Sequence, residues 1–281
     1  MTGEFLDRRT LLLSGAALAG GLMLGGPAMA APFTSRRIAV TVRGTGRDVL
    51  LIPGLGSGPG IWNGAMAAVP GHRWHLIHVR GFGGLAANAN AAGPLVQPLA
   101  DEIARYIGAA GLRRPAIVGH SMGGTLAMMV GLKGLAGRLM VVDMLPEGAA
   151  MVGGTAQGMG YLADQISQYF TGTRAGRAYL GQILAQAPGA KGSDPDVIAN
   201  ALRDLANIDL GPQLARIDAP MDVVYAVGSD PAQATAISRN FRAAYAAKKG
   251  VRLLPIGPSG HVVMADQPTR FAGMLKDFLR V

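Results

Sequence analysis

The stretch that decides the reading is Ala116-Ile117-Val118-Gly119-His120-Ser121-Met122-Gly123-Gly124. Its first three residues are a short apolar run behind Pro115, of the kind a strand covered on both faces presents. From Met122 to Leu132 the chain is apolar and small, without a proline, and reads as a helix. Between them Gly119, Ser121 and Gly123 fit G-x-S-x-G. A strand that turns straight into a helix needs a sharp bend, and flanking glycines leave room for it. The serine at the bend is held above the end of a strand, with a helix N-terminus beneath it that favours developing negative charge. In a chain with 42 Gly the bare pattern means little. The strand-turn-helix context gives it its weight.

Working outward, strands and helices alternate. Ile38–Val42 alternates apolar and small polar residues, as a half-buried edge strand does, and Asp48–Ile52 is a buried strand stopped by Pro53-Gly54. Trp74–Val79, Pro115–Val118, Leu139–Val142, Val223–Val227 and Val251–Ile256 read as further strands. Helices are expected over Leu95–Ile107, Met122–Leu132, 231–248 and 263–280. The alternation predicts an α/β fold: a mostly parallel central sheet with helices on both faces. Sites in such sheets form at the carboxyl ends of the strands. Residues 147–212 interrupt the rhythm with a Gly- and Met-rich stretch, followed by helical patterns over 161–170, 174–186 and 195–208. This is read as a helical cap inserted over the site.

Further blocks then carry a resemblance. Ile52-Pro53-Gly54-Leu55-Gly56-Ser57-Gly58, Arg80-Gly81-Phe82-Gly83-Gly84, the Gly119–Gly124 elbow, Ser259-Gly260-His261 and Asp266-Gln267-Pro268 follow one another in the order of the α/β-hydrolase fold family. The chain resembles that family over roughly 36–281. The resemblance implies a Ser-acid-His triad in that chain order, with Ser121 as nucleophile and His261 as general base. For the acid, Asp230 in Gly228-Ser229-Asp230 is the leading expectation. It resembles the family's G-x-x-D turn, one residue short, and it is equally a good N-cap before Pro231. Asp143, which ends the strand after the nucleophile's helix, is the rival. The oxyanion hole is expected from the N–H groups of Met122 and, by resemblance, Leu55. Met122, Leu55, Trp62 and Phe82 are expected near an apolar pocket, with Met151, Met159, Tyr161, Tyr169 and Phe170 added by the cap. His120, inside the elbow, reads as a packing or loop residue.

Composition narrows the classes. The chain has 281 residues, 15% of them charged and 49% hydrophobic, which excludes wholesale disorder. It has no cysteine, so disulfides, thiol catalysis and thiolate metal sites are excluded. His72, His75 and His78 are spaced by three, but an odd spacing along a strand sends neighbours to opposite faces, and no metal or other cofactor is expected. The net charge of +9 comes from scattered arginines without a basic stripe or interleaved aromatics, so no nucleic-acid partner is expected.

Residues 1–30 read as an address. Arg8-Arg9 precede the weakly apolar Leu11–Leu24, too short for the roughly 20 residues a span needs, and Ala28-Met29-Ala30 is a small-x-small cleavage pattern. The stretch Asp7–Leu12 resembles a bacterial twin-arginine signal. The expectation is a periplasmic or secreted domain beginning near Ala31, not stably inserted in a membrane. The functional expectation is a serine hydrolase of apolar small-molecule esters or lactones. The competing readings are a related chemistry (thioesterase, C–C hydrolase, perhydrolase) or a non-catalytic binding protein on the same fold.

Overall fold

The computed structural model of the chain describes residues 33–152 and 190–280, with positions 173, 175, 182 and 186 between them. Pro32–Val281 forms one compact unit. Its strands are β1 (Ile38–Arg43), β2 (Arg47–Ile52), β3 (His72–Val79), β4 (Ala116–His120), β5 (Arg138–Val142), β6 (Met221–Ala226) and β7 (Arg252–Ile256). The helices are α1 (Asn63–Ala68), α2 (Val96–Ala109), α3 (Met122–Leu132), α4 (Pro195–Ala206), α5 (Pro231–Ala244), α6 (Val263–Asp266) and α7 (Pro268–Arg280). The seven strands form one sheet in the order β1-β3-β2-β4-β5-β6-β7. Only β1, at the edge, runs antiparallel, against β3.

The strands are apolar throughout because both faces of the sheet are covered. Side chains alternate between the faces with the two-residue period of a strand. Leu50 and Ile52 of β2, Ile117 of β4, and Leu139 and Val141 of β5 join one core, packed under α2, α3, α4 and α5. Val49 and Leu51 of β2, Val118 of β4, and Met140 and Val142 of β5 join the other, packed under α1 and α7. Helix α7 is amphipathic and buries Phe271, Leu275 and Phe278. Helix α3 instead is apolar all round and buried along nearly its whole length, as a helix enclosed on every side must be.

This topology sets the place of a site. Chain order and sheet order part company at β2: β3 lies on one side of it and β4 on the other. The carboxyl ends of β2 and β4 thus flank a topological switch point, where a crevice opens. Ile52 pairs with Gly119, so the turn after β2 and the turn after β4 leave the sheet side by side. The excursion read as a cap springs from a single stem. Glu147 bridges Asp209, the Gly148 N–H donates to Ile208 O at 3.0 Å, and the Leu210 N–H donates to Pro146 O at 3.1 Å. Of its expected helices, the one over 195–208 is α4; 161–170 and most of 174–186 lie outside the described residues. Among the described residues no helix is long and apolar enough to cross a membrane.

Leu126 is fully buried in α3 at the centre of the larger core. Leu126→Ala should lower unfolding stability by about 2–5 kcal/mol, the usual cost of a cavity in an enclosed core. Urea unfolding followed by circular dichroism measures this, and a loss within about 0.5 kcal/mol would show that α3 is not enclosed.

Candidate active site

The turn after β4 is built by steric exclusion. A Cβ on Gly119 would overlap the Gly123 carbonyl, and one on Gly123 would overlap the carbonyls of Ile52 and Pro53. Only glycine at both positions lets α3 start directly beneath the strand it follows. Ser121, between them, has φ 54° and ψ −126°. A non-glycine residue held at positive φ costs of the order of 1–3 kcal/mol and persists only where its surroundings impose it. Here the Ser121 N–H donates to Val142 O at 2.9 Å, and its carbonyl accepts from Gly124 at 2.7 Å.

Asp143 follows β5 and is strained in the same way, with φ 50°. Its N–H donates to Val224 O at 2.7 Å, and one carboxylate oxygen, Oδ1, accepts from the Ala226 N–H at 2.8 Å. The other, Oδ2, accepts from His261 Nδ1 at 2.7 Å. Asp143 is buried, 8% exposed in its side chain, whereas His261 is 46% exposed. A proton on Nδ1 toward the carboxylate leaves the outer ring nitrogen, Nε2, with its lone pair available.

Asp230, the leading expectation for the acid, does not meet His261. It is exposed and caps α5, accepting from the Ala232 N–H at 3.0 Å ahead of Pro231. The physical reason is the missing residue in its turn. With Pro231 opening α5 directly after Asp230, the carboxylate is committed to the helix N-terminus. The rival, Asp143, is the carboxylate that the fold brings to His261.

Side chains from the α6–α7 segment and from the elbow hold the His261 loop. The Asp266 carboxylate accepts from the Gly260 N–H at 2.8 Å, Gln267 Nε2 donates to Pro258 O at 2.6 Å, and Arg270 donates to the Gly257 carbonyl. The elbow supplies His120, whose Nε2–H donates to the His261 carbonyl at 2.8 Å while the two rings lie 4.7 Å apart. Its Nδ1 is buried without a partner among the described residues, and a Cβ on Gly54 would come within 2.8 Å of it. His120 therefore sits between the turn after β2 and the His261 loop. Burial, reinforced by His261 nearby, pushes its pKa down to about 4, so the ring is neutral at ordinary pH. Read from the sequence as a packing or loop residue, His120 in addition hydrogen-bonds the His261 carbonyl. Its place inside the elbow was the available signal, because that position faces both neighbouring loops.

In the turn after β2, the Ser57 N–H donates to Gly54 O at 3.1 Å. A Cβ on Gly54 would lie 3.0 Å from Ser121 Cβ, so this turn abuts the serine. Among the described residues neither the Leu55 nor the Met122 N–H donates to a protein acceptor. Two unengaged amides beside a strained serine are chemically suited to receive a negatively charged oxygen.

The pocket expectation is corrected in part. Trp62 is fully buried on the far face of the sheet, its ring 6.2 Å from Phe271, and Phe82 is fully buried in the larger core. Both are core residues. The Met122 side chain is likewise in the core, so only its backbone faces the site, while Leu55 is half-buried. Met159, Tyr161, Tyr169 and Phe170 lie outside the described residues, as does the Met151 side chain. A cavity of about 320 Å³ opens beside His261 and Asp143, lined also by Leu145, Gln233, Ile237 and Ser259. The three spaced histidines go separate ways. His75 bonds Asp48 and Tyr106, His78 bonds the Phe82 carbonyl, and the His72 ring lies tilted against Trp74. Among the described residues no group of three side chains could hold a metal ion.

A doubly covered sheet with a glycine-framed serine turn at its switch point, and a histidine on a carboxylate beside it, defines the α/β-hydrolase class of folds. The match to the Alpha/beta hydrolase family spans residues 49–274, and the chain belongs to that family. Solved structures agree on the fold. An esterase from Exiguobacterium antarcticum superposes with a TM-score of 0.70 at 19% identity, covering 87% of this chain and 96% of that one. A hydrolase from Pseudomonas aeruginosa gives 0.67 at 20% identity, covering 87% and 94%. An enol-lactonase from Burkholderia xenovorans gives 0.62 at 18% identity, covering 87% and 96%. No curated protein matches the chain.

The depressed pKa of His120 has a consequence for stability. Its folded value of about 4 lies below the ordinary 6.5, so between those values the unfolded chain binds the extra proton. Stability is therefore full above pH 6.5 and falls as the pH drops toward 4, by of the order of 3 kcal/mol from this one group. Urea unfolding at pH 7 and pH 4.5 should show this loss in the wild type and a markedly smaller one in His120→Gln. Equal losses in the two proteins would remove His120 as the cause.

Proposed function

We propose that the protein is a serine hydrolase that cleaves carboxylic esters or lactones through an acyl-enzyme on Ser121. The observation that carries this reading is the His261 Nδ1–Asp143 Oδ2 hydrogen bond of 2.7 Å, made beside a serine held at positive φ. His261 Nε2 takes the Ser121 hydroxyl proton as Oγ attacks the substrate carbonyl carbon. The carbonyl π pair moves onto oxygen, and the N–H groups of Met122 and Leu55 receive the resulting oxyanion. Collapse re-forms the carbonyl and breaks the bond to the alcohol oxygen, which takes the proton from His261 and leaves. In a lactone that alcohol stays tethered to the acyl group. Water, deprotonated by His261, then attacks the acyl-enzyme, and the acid departs as Ser121 regains its proton. The Asp143 carboxylate fixes the imidazole with Nε2 outward and stabilises the imidazolium formed in both halves.

The esterase and lactonase named among the structural relatives favour acyl chemistry on an oxygen leaving group, and the site's two unengaged amides suit a tetrahedral oxyanion. The half-buried Leu55 and the Leu145 and Ile237 walls favour an apolar substrate. The excursion stemmed at Glu147–Asp209 is assigned the role of a cap. Export through a twin-arginine-like signal, with cleavage after Ala30, is read from Arg8-Arg9, the weakly apolar Leu11–Leu24 and Ala28-Met29-Ala30. The first 30 residues carry Glu4, Asp7, Arg8 and Arg9, whose charges cancel, so the +9 belongs to the remainder. Periplasmic or secreted protein should have an N-terminus near Ala31 by Edman sequencing; an intact Met1 in a membrane fraction would contradict export.

A fluorophosphonate probe should label the wild type and leave Ser121→Ala unlabelled; equal labelling of the two would refute the nucleophile. On p-nitrophenyl esters, Asp143→Asn should lower kcat by roughly four orders of magnitude, as expected when the histidine loses its orienting carboxylate. Asp230→Asn should leave kcat within about twofold, since Asn caps a helix about as well as Asp. A reversed ranking would return the acid to Asp230.

A further inference from the structure

We propose that Ser193 is a positioning residue for the oxyanion-binding amide of Leu55, a latch by which the return limb of the excursion holds the turn after β2. This rests on the role given to Leu55 above. Ser193 lies just before α4 and is 6% exposed. Its hydroxyl donates to the Gly56 carbonyl at 2.5 Å and accepts from the Gly83 N–H at 2.9 Å. One hydroxyl, used both as donor and as acceptor, thus joins three segments far apart in sequence: the turn after β2, the turn after β3, and residue 193 itself.

The held carbonyl lies in the turn that carries the Leu55 amide. Gly54–Ser57 is closed by the Ser57-to-Gly54 hydrogen bond, with Gly56 at φ +70° in its third position. That geometry is a type II turn, which places Leu55 second and requires positive φ third. Glycine meets the requirement, but it also has the widest choice of other conformations. Within the turn, the peptide after Gly56 is held on one side only, through its Ser57 N–H on Gly54 O. Ser193 holds its carbonyl side from outside, and by fixing that peptide it holds the orientation of the Leu55 N–H one residue earlier.

The same limb braces both glycine turns. The Asp194 N–H donates to Gly81 O at 2.7 Å, and Asp194 Oδ1 caps α4 by accepting from Asp196 at 2.9 Å. Ile198 and Ala190 fill the space where a Cβ on Gly56 would stand, at 3.2 and 3.4 Å. Val197 does the same at Gly81. Ser193 is therefore held by its neighbours on either side and can act as a fixed point for the softer turn. The excursion and the oxyanion site are coupled through this hydroxyl.

The test has two readouts. In hydrogen-exchange mass spectrometry of the full chain, Ser193→Ala should accelerate exchange in the peptides covering 54–58 and 81–85. On p-nitrophenyl esters the same variant should lose between about tenfold and a hundredfold in kcat, the scale of a misplaced catalytic group. KM should stay within about twofold and the acidic limb of the pH profile should not move, because the His261–Asp143 side is untouched. Ser193→Thr, which keeps the hydroxyl, should recover most of the loss. If Ser193→Ala does not accumulate as folded protein, Ser193→Cys, similar in size with a weaker donor, serves the same comparison. Unchanged exchange at 54–58, unchanged kcat, or an effect confined to KM would each overturn the proposal. Failure of the hydrolase reading looks different: the wild type would hydrolyse no ester and take no probe on Ser121, whatever the exchange at 54–58.

Discussion

Gly119 and Gly123 let α3 begin almost in contact with the end of β4, and the site depends on that close approach. The helix can start there because neither glycine carries a Cβ to strike the carbonyls of Ile52, Pro53 or Gly123. Its consequence is the backbone of Ser121, bent to φ 54° and held by Val142. The strain is local, and a helix buried on every side supplies the stability that offsets it. Asp143 repeats the arrangement one strand over, at φ 50° with its amide on Val224 and its carboxylate on Ala226. Two strained residues at adjacent strand ends thus frame the position where His261 arrives.

His261 arrives on a loop that would be soft by itself. Side chains from the end of the chain, Asp266, Gln267 and Arg270, bind three of its backbone groups, and His120 binds the carbonyl of His261 from below. Burial keeps the His120 ring neutral, with its Nε2–H directed at that carbonyl. On the opposite side, the turn after β2 is held by Ser193 from the excursion. The serine, the histidine and the two amides are each positioned by different parts of the chain. The activity proposed for them therefore depends on the whole sheet being formed.

Much of this was legible in the sequence. The buried strands announced themselves as apolar runs because a doubly covered sheet leaves no polar face, and the elbow announced itself because three residue types at fixed spacing had a mechanical reason to be there. What escaped was information about which loops meet. Asp230 and Asp143 both follow strands, and choosing between them requires knowing that Pro231 starts α5 too early for Asp230 to turn back. Trp62 and Phe82 lie near the glycine turns in sequence, but the short helical turn that holds Trp62 and the turn after β3 that holds Phe82 send them into the two cores. Ser193 has no motif at all. Its partners, Gly56 and Gly83, are more than a hundred residues away, and only the folded chain brings them within reach.

The central claim is that acyl transfer passes through Ser121 under the control of His261 and Asp143. The most direct measurement is rapid acid quench of the wild type with a p-nitrophenyl ester, followed by peptide mass spectrometry. The account predicts a stoichiometric burst of p-nitrophenol with the acyl group on the peptide containing Ser121. Turnover of the ester with no acyl adduct on that peptide, or with the adduct on another residue, would contradict it.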